Sequence, residues 1–160
     1  MIRAYKYRLY PTNEQIKCLE KTFNLCRFLY NCALQERIFY YKHYGKGISC
    51  YDQQKALPEI KELLPEFKAI YAQVLQSTLK RVDAAYQGFF RRVKSGETVG
   101  FPRFKGKDRF HSILYSQSGF ALGKPKGLKK NKRCHLKLSK VGDIKMEYHR
   151  KSKVPLRLAR

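Results

Sequence analysis

Tryptophan is absent from this sequence and carboxylates are scarce, with 12 Asp and Glu against 35 Lys and Arg in 160 residues. The formal charge of +23 opposes compaction by self-repulsion, so a polyanion that relieves it is the natural partner. No apolar run approaches the roughly 18 residues that span a bilayer. The opening "MIRAYKYRLYP" lacks a signal-peptide core. A membrane is therefore not an expected partner, and the expected location is cytoplasmic. Also missing are a GxSxG elbow, an HExxH pair, a Gly-rich phosphate loop and any CxxC pair. The five cysteines (18, 26, 32, 50 and 134) are an odd number, and without a secretion signal they read as reduced thiols. Cys18, Cys26 and Cys32 share one helical pattern and read as small buried hydrophobes. A zinc site would need Cys134 and His135 to find distant partners, and His43, His111 and His149 are as scattered. No metal site is expected.

What the sequence has is basic charge, unevenly placed. Residues 1–90 hold 14 basic and 8 acidic side chains, and residues 91–160 hold 21 and 4. The second part is the electrostatic footprint. "IRAYKYRLYP" alternates with period two and ends at Pro11, which predicts a strand. Thr12 or Asn13 sits where a helix cap belongs, and Glu14 to about Tyr44 repeats with helical spacing through Ile16, Leu19, Phe23, Cys26, Tyr30 and Ala33. Leu25, Phe28, Leu29 and Cys32 widen that face, so burial on more than one side is expected. "GKG" at 45–47 ends the helix; Ser49 can cap a short one, interrupted near Pro58. A further stripe runs Leu75, Leu79, Val82, Tyr86, Phe89, Val93. After Gly100, "HSILYSQ", "RCHLKLSKVGDIKMEY" and "VPLRLAR" read as strands, with "GKPKGLKKNKR" as an exposed basic turn. One strand, helices, then strands make an α+β fold: a small β-barrel or sheet with a helical bundle inserted after its first strand.

Catalysis finds little support. The basic part has four carboxylates: Glu97, Asp108, Asp143 and Glu147. A two-metal nuclease gathers several on a rigid scaffold. Asp143 and Glu147 share a face of one strand region, and moderating a basic strand is the preferred reading of both. Binding chemistry is better supplied. In "TVGFPRFKGKDRF", Thr98 to Phe110, three Phe alternate with four Lys and Arg. Cations neutralise phosphates while rings stack on splayed bases. Here Phe101 and Phe104 are expected to anchor the loop while Arg103, Lys105, Lys107 and Arg109 grip a backbone.

"RAYKYRLYPTNEQ", "CRFLYNCALQER", "LQSTLKRVDAAYQGFFRRVKSG" and "VGFPRFKGK", in this order, resemble the N-terminal part of TnpB (OrfB), transposon-encoded relatives of type V CRISPR effectors. The resemblance covers essentially residues 1–150. It implies an oligonucleotide-binding-type β-barrel, the wedge domain, over 1–11 and 98–160, interrupted by a helical recognition domain over 12–97. Older descriptions call the first helical part a helix-turn-helix. Family members are RNA-guided DNA endonucleases whose RuvC-like nuclease, with Mg²⁺, and four-Cys zinc insertion would follow residue 160. No nuclease activity and no cofactor are therefore expected in this chain; its partners would be a guide RNA, target double-stranded DNA and a separate nuclease part. Carried over by matching position, Tyr51, Gln54, Gln76, Ser77, Ser116 and Gln117 would read a short target-adjacent DNA motif, as a PAM is read. Gln can bind adenine bidentately in the major groove. Arg91, Arg92, Arg103, Lys105, Lys107, Lys129, Lys130, Lys132 and Arg133 would grip RNA and DNA backbones. The alternative is a stand-alone sequence-specific DNA-binding protein, such as a repressor, using the 14–44 and 70–94 helices.

Overall fold

Pro11 and Thr12 mark where extended chain becomes helix. Thr12 Oγ1 accepts from the Gln15 amide at 3.3 Å, and Gln15 Oε1 accepts from the Thr12 amide at 3.0 Å, a reciprocal cap that starts α1 (Asn13–Tyr44). The computed structural model describes residues 5–123 and 132–148. The long helix stops at Gly45, whose φ of +64° is readily adopted only without a Cβ. Ser49 and Asp52 form a second capping box for α2 (Cys50–Lys55), and the Ser49 hydroxyl holds the Asp52 carboxyl below its usual pKa. Pro58 lies in the first turn of α3 (Leu57–Leu63), where its missing N–H costs nothing. A 3₁₀ turn (Pro65–Ala69) buries Phe67 and leads to α4 (Ala72–Ser95).

The chain divides into two compact units: Thr22–Leu114, and Met1–Lys21 with Tyr115–Arg160. In the helical unit, Cys26, Leu29, Tyr30, Ala33 and Leu34 of α1 are buried, as are Val74, Leu75, Leu79 and Val82 of α4. Each fully buried aliphatic side chain contributes about 1.5–3 kcal/mol. Polar bonds fix the register of these helices. The buried Arg37 donates to Gln53 Oε1 at 2.8 Å and to Asp83 Oδ1 at 3.1 Å, and lies 5.4 Å over the Tyr86 ring. Gln53, also buried, donates to the Ala33 carbonyl at 2.9 Å and to Glu36 Oε2 at 2.7 Å. One guanidinium and one amide thus tie α1, α2 and α4.

In the other unit β1 (Leu9–Tyr10), β2 (Phe120–Leu122), β3 (Lys132–Leu138) and β4 (Gly142–Tyr148) form an antiparallel sheet in the order β1-β4-β3-β2. The first strand does pair with the last, Leu9 opposite Met146. Cys134, Leu136, Leu138, Ile144 and Met146 make the buried face. The hairpin between β3 and β4 turns through Gly142 at φ +98°. In the register of β3 and β4, Asp143 lies opposite Lys137 and Glu147 opposite Arg133.

Several expectations are corrected. The sheet is open among the described residues, because β1 and β2 are two and three residues long and do not pair. "HSILYSQ" is not a strand, and Arg81 donates to the Ser112 carbonyl within it. "VPLRLAR" lies outside the described residues, as does most of the "GKPKGLKKNKR" turn. Segment 98–114, expected with the sheet, belongs to the helical unit. Cys26 is buried but Cys18 is half-buried and Cys32 exposed, and Phe28 and Val93 are also exposed. Of the widened face of α1, Leu29 is buried and Leu25 half-buried, while Phe28 and Cys32 stay exposed.

Two outcomes follow. Asp83→Ala should cost about 3 kcal/mol by urea denaturation, since it strands a buried guanidinium, whereas Arg37→Met should cost clearly less. Native-state alkylation should label Cys32 and spare Cys26, whose thiol burial pushes up to about 11. Burial and then Glu36 raise the Cys32 pKa, so its labelling rate should still climb at a pH where a free cysteine's has levelled off. Equal labelling of both thiols would contradict the packing of α1.

Candidate nucleic-acid interface

The basic loop is held on the helical unit by contacts of three kinds. Asn31 grips it through the backbone: its Nδ2 donates to the Lys105 carbonyl at 3.0 Å, and the Lys105 amide donates to Asn31 Oδ1 at 2.8 Å. Phe101 meets Tyr86 and Phe89 edge-on, with centroids 5.7 and 5.3 Å apart. Pro102 and Phe110 are buried, and Phe110 lies 6.3 Å from the Tyr30 ring with the Arg81 guanidinium 5.3 Å over it. Arg81 also donates to the Ser112 hydroxyl at 3.1 Å, and burial lowers its pKa. The ring that truly anchors the loop is Phe110. Phe101 is half-exposed but packed, and Phe104 is 48% exposed and stands over α1.

With the backbone fixed, Arg103, Lys107 and Arg109 project into solvent. Lys105 is half-buried, its Nζ 5.8 Å over the Tyr30 ring. Arg91, on the last turns of α4, is exposed, while Arg92 is half-buried and reaches the Gly100 carbonyl at 3.5 Å. Fixing the backbone in advance spares the loop's share of the ordering cost when these cations meet a phosphate. Lys129 and Lys130 lie outside the described residues. Lys132 and Arg133 occupy β3 opposite Tyr148 and Glu147.

The residues carried over for motif reading are distributed between the units. Tyr51 in the first turn of α2 is 65% exposed, with Lys55 Nζ 4.6 Å over its ring. Gln54 is half-buried and donates to Cys50 Sγ at 3.3 Å, and Gln76 is exposed on α4. Ser77 is only 5% exposed, so its hydroxyl faces the core rather than solvent. Ser116 and Gln117 lie in the sheet unit, just before β2, in chain that is not strand. No group of His, Cys, Asp or Glu that could hold a metal occurs among the described residues.

Two features escaped the sequence reading. Asn31 looks like any polar helix residue until its partner, 74 positions away, is known. The end of α1, "FYYKHY", leaves Phe39, Tyr40, Tyr41 and Tyr44 exposed, with Tyr40 and Tyr44 centroids 4.7 Å apart. That signal was legible as aromatic density beside Lys42 and Lys46.

Comparison with known proteins agrees with the resemblance. Residues 1–46 match the helix-turn-helix domain of OrfB proteins. Over 121 residues the chain is 32% identical to a protein of Streptomyces pristinaespiralis named as an RNA-guided DNA endonuclease, covering 74% of this chain and 29% of that protein. Over 122 residues it is 31% identical to the Escherichia coli K12 protein named as RNA-guided DNA endonuclease InsQ, covering 72% and 28%. The chain thus spans less than a third of the length of these curated relatives. The first 46 residues thus match the OrfB helix-turn-helix domain, and the chain is similar to part of two proteins named as RNA-guided DNA endonucleases.

Proposed function

We propose that this chain is a nucleic-acid-binding module of a TnpB-type system: it holds a guide RNA and reads a short DNA motif beside the target, without a nuclease site of its own. The observation that carries the reading is the clamped loop, where Asn31 fixes the backbone and Arg103, Lys107 and Arg109 point outward. The names of the relatives supply the RNA-guided context. In this reading Tyr51, Gln54 and Gln76 of the helical unit face DNA bases, and Mg²⁺ and Zn²⁺ chemistry belongs to a separate nuclease part. The open sheet is read as part of the wedge-type barrel that the resemblance implies, and the cytoplasm as the compartment; among the described residues no helix is long and apolar enough to cross a membrane.

A repressor of helix-turn-helix type is the weaker reading. Within the matched residues α1 runs unbroken from Asn13 to Tyr44, where two helices joined by a turn would be required.

Replacing Arg103, Lys107 and Arg109 together by Ala should weaken RNA binding across sequences. It should also reduce the slope of log affinity against log salt by about 2, since each phosphate contact on a single strand contributes roughly 0.7. Gln76→Ala should instead alter target-motif preference and leave RNA affinity nearly unchanged. An unaltered salt slope in the triple variant would remove the loop from the interface.

A further inference from the structure

One concave surface of the helical unit remains unexplained by the cations. A shallow, open groove of about 540 Å³ is lined on α1 by Phe28, Cys32, Gln35 and Phe39 and on the loop by Phe104. Three large rings here are left half in solvent: Phe28 is 50% exposed, Phe39 52% and Phe104 48%. They are not loose. Phe28 is backed by the buried Phe67 at 6.5 Å, and Phe39 lies 3.9 Å from the His43 ring. Phe104 immediately precedes Lys105, whose amide and carbonyl are both held by Asn31. The backbone beside Phe104 and the inner side of Phe28 are therefore held before anything binds.

We propose that this groove receives one unpaired base of a single-stranded nucleic acid, stacked on Phe104 and on the α1 rings, with the flanking phosphates on Arg103 and Lys107. The proposal rests on the nucleic-acid-binding reading and adds the strandedness of the ligand at this loop. Charge decides the occupant. The same loop carries exposed Arg103, Lys107 and Arg109, and Glu36, the carboxylate lining the groove, is already engaged by Gln53 at 2.7 Å. An apolar peptide gains nothing from such a rim, and a second copy of the chain would bring another +23 against it. Flat, half-exposed rings beside cations are the platform on which successive bases stack, and Gln35 offers an amide that can both donate to and accept from a base edge. A base inside a duplex has no free face to offer, so the ligand is single-stranded or extruded.

The test uses the full chain and a short uridine-rich RNA carrying one 5-iodouridine, photo-crosslinked and mapped by mass spectrometry. The adduct should fall on Phe104, Phe28 or Phe39. Phe104→Leu should abolish it and weaken single-strand binding about tenfold, without changing the salt slope or the affinity for duplex RNA. Phe104→Trp should retain both adduct and affinity, which separates loss of stacking from loss of folding. Adducts confined to other residues, with Phe104→Leu binding as tightly as the unaltered chain, would overturn the base site and leave the binding reading intact. A dimer in sedimentation that Phe104→Leu dissolves would also overturn it, in favour of a second copy as the occupant. An unaltered chain that binds no RNA at all would sink the binding reading itself.

Discussion

Self-repulsion is the constraint on which the rest depends: a chain of 35 cations and 12 carboxylates must fold against its own charge. The fold answers by using its carboxylates structurally. Asp83 is on Arg37, Glu36 on Gln53, Asp52 in the α2 cap and Glu147 on the Tyr10 hydroxyl at 3.1 Å. Glu97 accepts from the Ser95 hydroxyl at 2.8 Å, just beyond the end of α4. Each holds helices, strands or caps in place. Most cations near the loop have no such partner and turn outward, where a polyanion can relieve what the protein's own acids do not.

The same economy explains the aromatic residues. The 32-residue α1 packs through Cys26, Leu29, Tyr30, Ala33 and Leu34 and leaves Phe28, Phe39, Tyr40, Tyr41 and Tyr44 exposed. Those rings then remain at the surface, beside the loop that Asn31 clamps. Hydrophobic rings and cations adjoin because both are left over from the core, and together they suit a ligand with charged backbone and flat faces.

Much of this was legible in sequence because it is local. Thr12, Gly45 and Ser49 are caps whose chemistry acts within a few residues, and they set α1 and α2 nearly to the residue. The strand–helices–strands order also followed from periodicity, and β1 does pair with a later strand. What could not be read is long-range. Periodicity says that Phe28 and Cys32 are on an apolar face, but not that both stay exposed. The resemblance put Ser77 forward for base contact, while its burial depends on the packing of the helical unit. Alternation predicted strand at "HSILYSQ", where Arg81 takes the Ser112 carbonyl and Tyr115 is buried with its hydroxyl on the Ser139 carbonyl. Phe110 looked no different from Phe101 and Phe104 until Tyr30 and Arg81 were found around it.

The measurement that tests the account most directly is sequencing of the nucleic acid that copurifies with this chain from cells carrying its native locus. A single discrete RNA, with a constant region mapping beside the gene, is the predicted result. A heterogeneous mixture, or duplex DNA sharing a motif, would contradict it.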